Sequence, residues 1–415
     1  MSGTFDPEEY LNSLEAIGWK LGLDRMNLLS DELERPQDCY DTIHVVGTNG
    51  KSSVAQMGAA LIEAHGWNAG CSLSPHLEHW SERVLVGGEQ IAPEAFAAAV
   101  KETAAAAERV NAGLGGEEVV TQFEVATAAA FVALADAEVD AAVIEAGLGG
   151  RLDATNTIES KVTVLTSIGL DHTEWLGESE SEIAAEKLAV LRPGTKLVIG
   201  KLPEEVERQA REHAGRLECE VIDAGHRAPI DLDLASLGGF QRDNFTVAMA
   251  AVEALIGQLD PDAVREVAGS LIVPGRLEQV GDDPPIYFDV AHNRPGAAAL
   301  AESIPEIAEG RPVVALIGIL ADKDALGMLE ELAGSINWAV FTELPEETLE
   351  HWGRPGARTF PAGDLKRTGD ELGLLSEKVA DPSEALSRAV LQAEDLGGVV
   401  LVCGSHYLLS AVLNT

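Results

Sequence analysis

Lysine is scarce in this chain: ten in 415 residues, within a basic total of 29 set against 69 Asp and Glu. The formal net charge is −40. Such a surface repels nucleic acid and anionic lipid, so neither is expected as a partner. The acidic residues are spread through both halves rather than gathered in a tail. A diffuse excess suits a halophile protein in concentrated salt, where self-repulsion is screened over ~3 Å at 1 M. That expectation concerns the solvent, not the chemistry.

Cysteine is also sparse. Cys39, Cys71, Cys219 and Cys403 lie far apart with no C-x-x-C. This argues against a structural zinc site or a disulfide framework and suits a reducing cytosol. No apolar run approaches the ~20 residues of a membrane helix. The start, MSGTFDPEEY, lacks a basic region and an apolar core, so no signal peptide and a cytoplasmic location are expected. Internal repeats are missing, and low complexity is confined to alanine-rich helical stretches such as AFAAAVKETAAAAERV.

What is present is a chain too long for one ordinary core, with 46% hydrophobic residues. Short apolar runs recur: IHVV, AAVIEAG, KVTVLTSIG, TKLVIG, IYFDVA, VVALIGIL, WAVFTEL and GVVLVCGS. They are β-rich and nearly continuous, as buried parallel strands are. Segments between them, such as AAALAESIPEIAEG, have helical patterns. The expected class is α/β with parallel sheets. IVPGRLEQVGDDPP breaks the rhythm, which places a boundary near Ile272 between a larger domain, 1–272, and a smaller one, 273–415.

The stretch HVVGTNGKSSVAQM joins a strand, a glycine loop and a helix expected to begin near Ser52. Backbone N–H groups and the helix N-terminus would face an anion there, with Lys51 adding charge. The P-loop pattern G-x-x-x-x-G-K-[ST] asks for glycine where Val45 stands. A plain glycine turn is the alternative.

Seven further motifs follow in order: SPHL (Ser74–Leu77), EAGLGGRLDATN (Glu145–Asn156), TSIGLDHTEWLG (Thr166–Gly177), AAEK (Ala184–Lys187), PGRLE (Pro274–Glu278), DVAHN (Asp289–Asn293) and DKD (Asp322–Asp324). With GTNGK, this set resembles dihydrofolate synthase/folylpolyglutamate synthase, a branch of the Mur ligase family, over about residues 10–410. The family's usual loop run is G-T-N-G-K-G-[ST]; here Ser52 replaces the glycine and Ser53 holds the hydroxyl position.

The resemblance implies a P-loop-containing parallel-sheet ATPase domain at the N-terminus. A smaller Rossmann-like α/β glutamate-ligase domain would follow. It implies that ATP phosphorylates a pteroate-type carboxylate and that the amine of L-glutamate attacks the acyl phosphate. The acceptor would be dihydropteroate, a reduced folate, or both, and a monomer is expected. Mg²⁺ would be held by Ser74 and Glu145, with His172 at a neighbouring position. CO₂ would convert Lys187 to a carbamate, a further metal ligand. Thr48, Asn49, Gly50, Lys51, Ser52 and Ser53 would hold ATP, with Asn244, Arg276, Asp289 and His292. ATP would lie between the domains, whose closure assembles the site.

Thr121, Gln122, Phe123, Glu124, Leu152, Asp153 and Ala154 would meet the pterin substrate, Arg83 a substrate carboxylate, and Asp322 and Lys323 the glutamate. WKLGLDRM (Trp19–Met26) would close over the substrate.

Plainer roles stand beside several of these. Lys187 could snorkel to water from its helical stripe. Asn244 could cap a helix, Arg276 could form an interdomain salt bridge, and Phe123 could be core. Two other functions compete: a nucleotide switch, which leaves GLGGRLDATN unexplained, and a Mur-type ligase with another acceptor.

Overall fold

A computed structural model describes residues 5–14, 20–115, 118–226, 232–345, 349 and 357–413. Two compact units emerge. The first comprises Met1–Asp233 and Asp243–Gly269, and the second Leu234–Arg242 and Ser270–Thr415. Segment 234–242, ahead of the boundary expected at Ile272, thus belongs to the second unit, and Phe240 packs against that unit's core.

The first unit is built on eight strands: β1 (Asp41–Val46), β2 (Ala69–Ser72), β3 (Val84–Val86), β4 (Glu89–Gln90), β5 (Ala141–Glu145), β6 (Val162–Leu165), β7 (Lys196–Ile199) and β8 (Glu220–Asp223). Their order is β4-β3-β2-β5-β1-β6-β7-β8. The six from β2 to β8 are parallel, and β3 and β4 add an antiparallel edge. Every residue of β5 is buried, as continuous apolar runs predict for strands covered on both faces. On one side lie helices Pro93–Gly113 and Gln122–Asp136, whose Val100, Phe131 and Leu134 join the core. On the same side, farther along over β6 and β7, lie Glu180–Leu188 and Glu204–Arg216, contributing Ile183, Leu188 and Val206, while helix Lys51–Ala64 covers the opposite face, its Gly58 against Val143.

The second unit carries β9 (Arg276–Asp282), β10 (Pro285–Asp289), β11 (Val313–Ile317), β12 (Trp338–Phe341), β13 (Ser376–Lys378) and β14 (Val399–Cys403). The order is β13-β12-β11-β14-β10-β9, parallel except for β9 against β10. The α/β class with parallel sheets is therefore what the chain adopts.

At the carboxyl ends of β1, β6, β7 and β8 the backbones approach very closely. A Cβ on Gly47 would collide with the Thr166 side chain, one on Gly200 with the Thr166 carbonyl, and one on Gly225 with the Gly200 carbonyl. Side chains there would force the strand ends apart. All four cysteines are free. No helix among the described residues is long and apolar enough to cross a membrane.

Candidate active site

The phosphate-type loop runs from β1 through Gly47–Gly50 into helix Lys51–Ala64, one residue ahead of the expected Ser52 start. Gly50 has φ +84°, a left-handed conformation that suits glycine, and a Cβ there would lie 2.5 Å from Asn244 Oδ1. The segment after β6 braces the loop. Thr48 N–H donates to the Ser167 carbonyl at 2.8 Å, and Asn49 N–H to Ser167 Oγ at 3.0 Å. The Thr166 and Ser167 hydroxyls donate to Asn49 O at 2.7 and 3.0 Å. Lys51 curls over its own loop, donating to the Gly47 and Thr48 carbonyls at 3.2 Å each.

Glu145 ends β5, in register with Val45 of β1, and is 3% exposed. Its Oε1 accepts from Ser52 Oγ and its Oε2 from Ser74 N–H, both at 3.0 Å. The loop that follows must stay thin. A Cβ on Gly147 would strike the Phe123 ring, and one on Gly150 would lie 2.7 Å from the Glu186 carbonyl and 3.0 Å from Lys187 Cα. The glycines of GLGG therefore let this loop pack between Phe123 and the helix that carries Lys187.

Lys187 is 4% exposed on helix Glu180–Leu188, so it does not snorkel. Burial and the charge of Lys51 push its amine down to about 7, against Asp171 and Asp153, which favour the cation. His172, with φ +49°, donates its N–H to Asp171 Oδ1 at 2.9 Å. Asp153 is buried and turned inward, accepting from Leu148 N–H at 2.7 Å and Thr155 N–H at 3.0 Å. Burial still raises its carboxyl above the usual range despite those bonds. The Thr155 hydroxyl donates to Asp153 and lies 2.9 Å from Nε2 of the buried His44. The imidazole must then donate from Nε2.

The substrate-side candidates divide. Thr121 and Glu124 form a capping box at the start of helix Gln122–Asp136, and Glu124 pairs with the buried Arg25 at 3.1 Å. Gln122 donates to the Leu11 carbonyl. Arg83 bonds His76 Nδ1 at 2.9 Å and stacks over Trp80 at 4.1 Å. Leu152 is 41% exposed, whereas Ala154 is buried. Trp19 lies outside the described residues.

In the second unit, Asp289 ends β10 opposite Arg276 of β9. It accepts from Leu277 N–H at 3.0 Å and Ala291 N–H at 2.8 Å. His292 bonds the Val290 carbonyl. Lys323 lies half-buried and Asp322 exposed before helix Ala325–Leu332.

Sequence reading assigned no individual role to Ser167, Asp171 or the His44–Thr155 pair, and Arg25 entered only within WKLGLDRM. The T-x-x-E pattern at Thr121–Glu124 is the sequence signal of the capping box found there. The other grouping of potential metal ligands, Glu207, Asp223 and His226, is cross-linked by Arg211 into an ion-pair network.

The fit to ATP and a divalent cation rests on two features. Ser53 Oγ, at the start of the loop's helix, is buried with no hydrogen-bond partner among the described residues, and a phosphate oxygen would satisfy it. The carboxylate and hydroxyl groups around Glu145 are the oxygen donors a hard cation prefers. Loop and acid together mark an ATP-binding α/β enzyme.

Comparison with known proteins agrees. Residues 275–406 match the family described as Mur ligase, glutamate ligase domain. The dihydrofolate synthase/folylpolyglutamate synthase of Mycobacterium tuberculosis is 35% identical, over 88% of this chain and 84% of its own length. The solved M. tuberculosis folylpolyglutamate synthase complexed with ADP superposes with TM-score 0.89 at 31% identity, covering 98% of both chains. A bifunctional folylpolyglutamate synthase/dihydrofolate synthase solved with Mn, AMPPNP and L-glutamate gives 0.84 at 28%, over 98% and 97%. The chain belongs to the dihydrofolate synthase/folylpolyglutamate synthase family, ATP-dependent ligases that join glutamate to folates.

Proposed function

We propose that this chain ligates L-glutamate to dihydropteroate, to a reduced folate, or to both, through an acyl phosphate formed at the carboxyl end of β5. The observation that carries the reading is Glu145, buried at that strand end and bonded to both the phosphate-type loop and Ser74. Two anions, the γ-phosphate and the acceptor carboxylate, must meet before the first bond forms. Lys51, the loop amides and Ser53 offset and orient the polyphosphate, with Asn244, Arg276, Asp289 and His292 completing the nucleotide set. Glu145, Ser74 and His172 would hold Mg²⁺, which supplies charge neutralisation for the two anions. Phe123, Leu152, Arg83 and the neighbouring candidates serve the pterin side, and Asp322 and Lys323 the glutamate.

The acceptor carboxylate displaces ADP from the γ-phosphorus. The neutral amine of glutamate then attacks the acyl carbon, loses a proton and expels phosphate. Water must be kept from the mixed anhydride meanwhile.

Lys187 is proposed to work as a carbamate. Its neutral amine would attack CO₂, forming an N–C bond and releasing one proton. The product is an anion beside Lys51, which replaces repulsion of two cations with attraction. Burial and a lowered amine both support this. We further propose a salt-adapted, cytosolic monomer, on the −40 charge and the separated, free cysteines.

The test is a panel of acceptors with purified protein, ATP, Mg²⁺ and L-glutamate in molar KCl. Glutamate-dependent phosphate release with dihydropteroate or a reduced folate monoglutamate is the expected outcome. Release with neither, despite ATP binding, would overturn the acceptor assignment.

A further inference from the structure

Ser52 stands where the family's usual run has glycine, and the structure gives its hydroxyl a partner. Ser52 is the second residue of helix Lys51–Ala64, and its Oγ donates to Glu145 Oε1 at 3.0 Å. The other carboxylate oxygen accepts from Ser74 N–H. The strand order β2-β5-β1 explains the arrangement. Glu145 ends the middle strand, Ser74 follows β2 on one side, and Ser52 follows β1 on the other. The acid is thus gripped from both flanks, with a donor on each oxygen. Lys51 is turned away to the Gly47 and Thr48 carbonyls, so the loop's cation does not supply this grip.

The last torsion of a glutamate side chain is broad and soft. A hydroxyl on one oxygen and an amide on the other select one rotation of the carboxylate. A glycine at position 52 would leave the β1 side of that grip without its hydroxyl. We propose that Ser52 is a positioning residue that fixes the rotation of the Glu145 carboxylate, so that the acid meets the ATP-bound divalent cation already oriented. The gain is preorganisation: less side-chain freedom is left to lose when the cation arrives. The proposal rests on the reading that Glu145 holds that cation, and it deepens that reading.

The test measures Mn²⁺ affinity in the presence of AMPPNP, by the EPR signal of free Mn²⁺, with no turnover involved. Variants are Ser52→Gly, Ser52→Ala, Ser52→Thr, Glu145→Ala and the double Ser52→Ala/Glu145→Ala, each checked for an unchanged thermal midpoint. Ser52→Gly and Ser52→Ala should weaken Mn²⁺ by about tenfold, equivalent to ~1.4 kcal/mol. Ser52→Thr keeps the hydroxyl and should stay near wild type. AMPPNP affinity without metal is measured in the same variants, and the loss of Mn²⁺ affinity should exceed any loss of nucleotide affinity. The double variant should be no worse than Glu145→Ala, because Ser52 acts through the carboxylate. Wild-type affinity in Ser52→Ala alongside a loss in Glu145→Ala overturns the positioning role alone. Additive losses in the double variant overturn it as well, by showing that the hydroxyl meets the cation independently. Undiminished Mn²⁺ affinity in Glu145→Ala defeats the metal reading of Glu145 itself.

Discussion

Glu145 and Asp289 hold the same place in two different sheets. Each is the last residue of an interior strand, β5 or β10, and they are 3% and 4% exposed. Their donors differ. Asp289 is closed on its own surroundings: it accepts from Leu277 and Ala291 N–H, with Arg276 across the β9–β10 pair. Burial pushes its carboxyl up to about 6, against the pull of Arg276, those two bonds and His292. Glu145 instead takes donors that follow two neighbouring strands, one of them in the first turn of the helix that leaves the phosphate-type loop. A strand-end acid is therefore no sufficient marker of chemistry. What distinguishes the two is whether the donors belong to the acid's own hairpin or to segments that would also receive the ligand. By that criterion Asp289 braces the turn that carries His292, and Glu145 ties the start of the loop's helix to the segment after β2.

The sharpest way to break this contrast is to neutralise each acid. Glu145→Gln should bind ATP within about tenfold of wild type, ~1.4 kcal/mol. Its kcat should fall by at least ~10³, about 4 kcal/mol of transition-state stabilisation. Acyl phosphate should not accumulate in rapid-quench samples lacking glutamate. Asp289→Asn should lose far less, about tenfold in kcat/KM. Equal losses would erase the distinction. Lys187→Ala should nearly abolish turnover, with partial recovery in added formate or acetate, which can stand where the carbamate would. A normal rate in that variant would make Lys187 a bystander.

Acid stability sharpens the contrast between the units, because two buried groups act with opposite sign. His44, in the first unit, is held down to about 3 by burial and by Arg192. Between about 3 and its ordinary value the unfolded state binds more protons, so this contribution to stability is lost as pH falls. By pH 5 the loss is ~2 kcal/mol at 1.36 kcal/mol per unit. Asp289, raised to about 6, binds more protons in the folded state between about 4 and 6. Its contribution therefore falls as pH rises through that window, by ~2–3 kcal/mol in all. Denaturant midpoints from pH 4 to 7 should show a flatter acid limb in His44→Gln and a steeper one in Asp289→Asn. Matching slopes would contradict the assignment. The smallest contrast concerns salt. Activity should fade in dilute buffer with both acids intact; full, stable activity at ~0.1 M, where the Debye length is ~10 Å, would sink the halophile reading.

Much of the fold was legible because buried parallel strands leave continuous apolar runs. All eight such runs became strands of the two sheets. The missed strands have physical reasons. β2 is Ala-Gly-Cys-Ser, with no β-branched residue, because its Gly70 lies against Leu134 of a covering helix. β9, in the stretch that breaks the rhythm, is an antiparallel edge with four of its seven residues polar. Of the candidate site, Glu145, Lys51 and Lys187 stand out in the sequence as motif residues. The Ser52–Glu145 bond does not, since it depends on the register of β1 against β5. Thr121 and Glu124, expected at the substrate, also form a capping box whose T-x-x-E signature is present in TQFE.

The close backbones at Gly47, Thr166, Gly200 and Gly225 have a consequence for mutational tolerance. They form a relay of hard contacts, each strand end resting on the next. A methyl group at Gly225, on the far side of the sheet from β5, has no room except by displacing Gly200, which abuts Thr166, which abuts Gly47. Thr166 also bonds the Asn49 carbonyl. The phosphate-type loop therefore inherits the tolerances of three further strand ends, and a conservative-looking alanine at Gly225 is a change to that loop made from across the sheet.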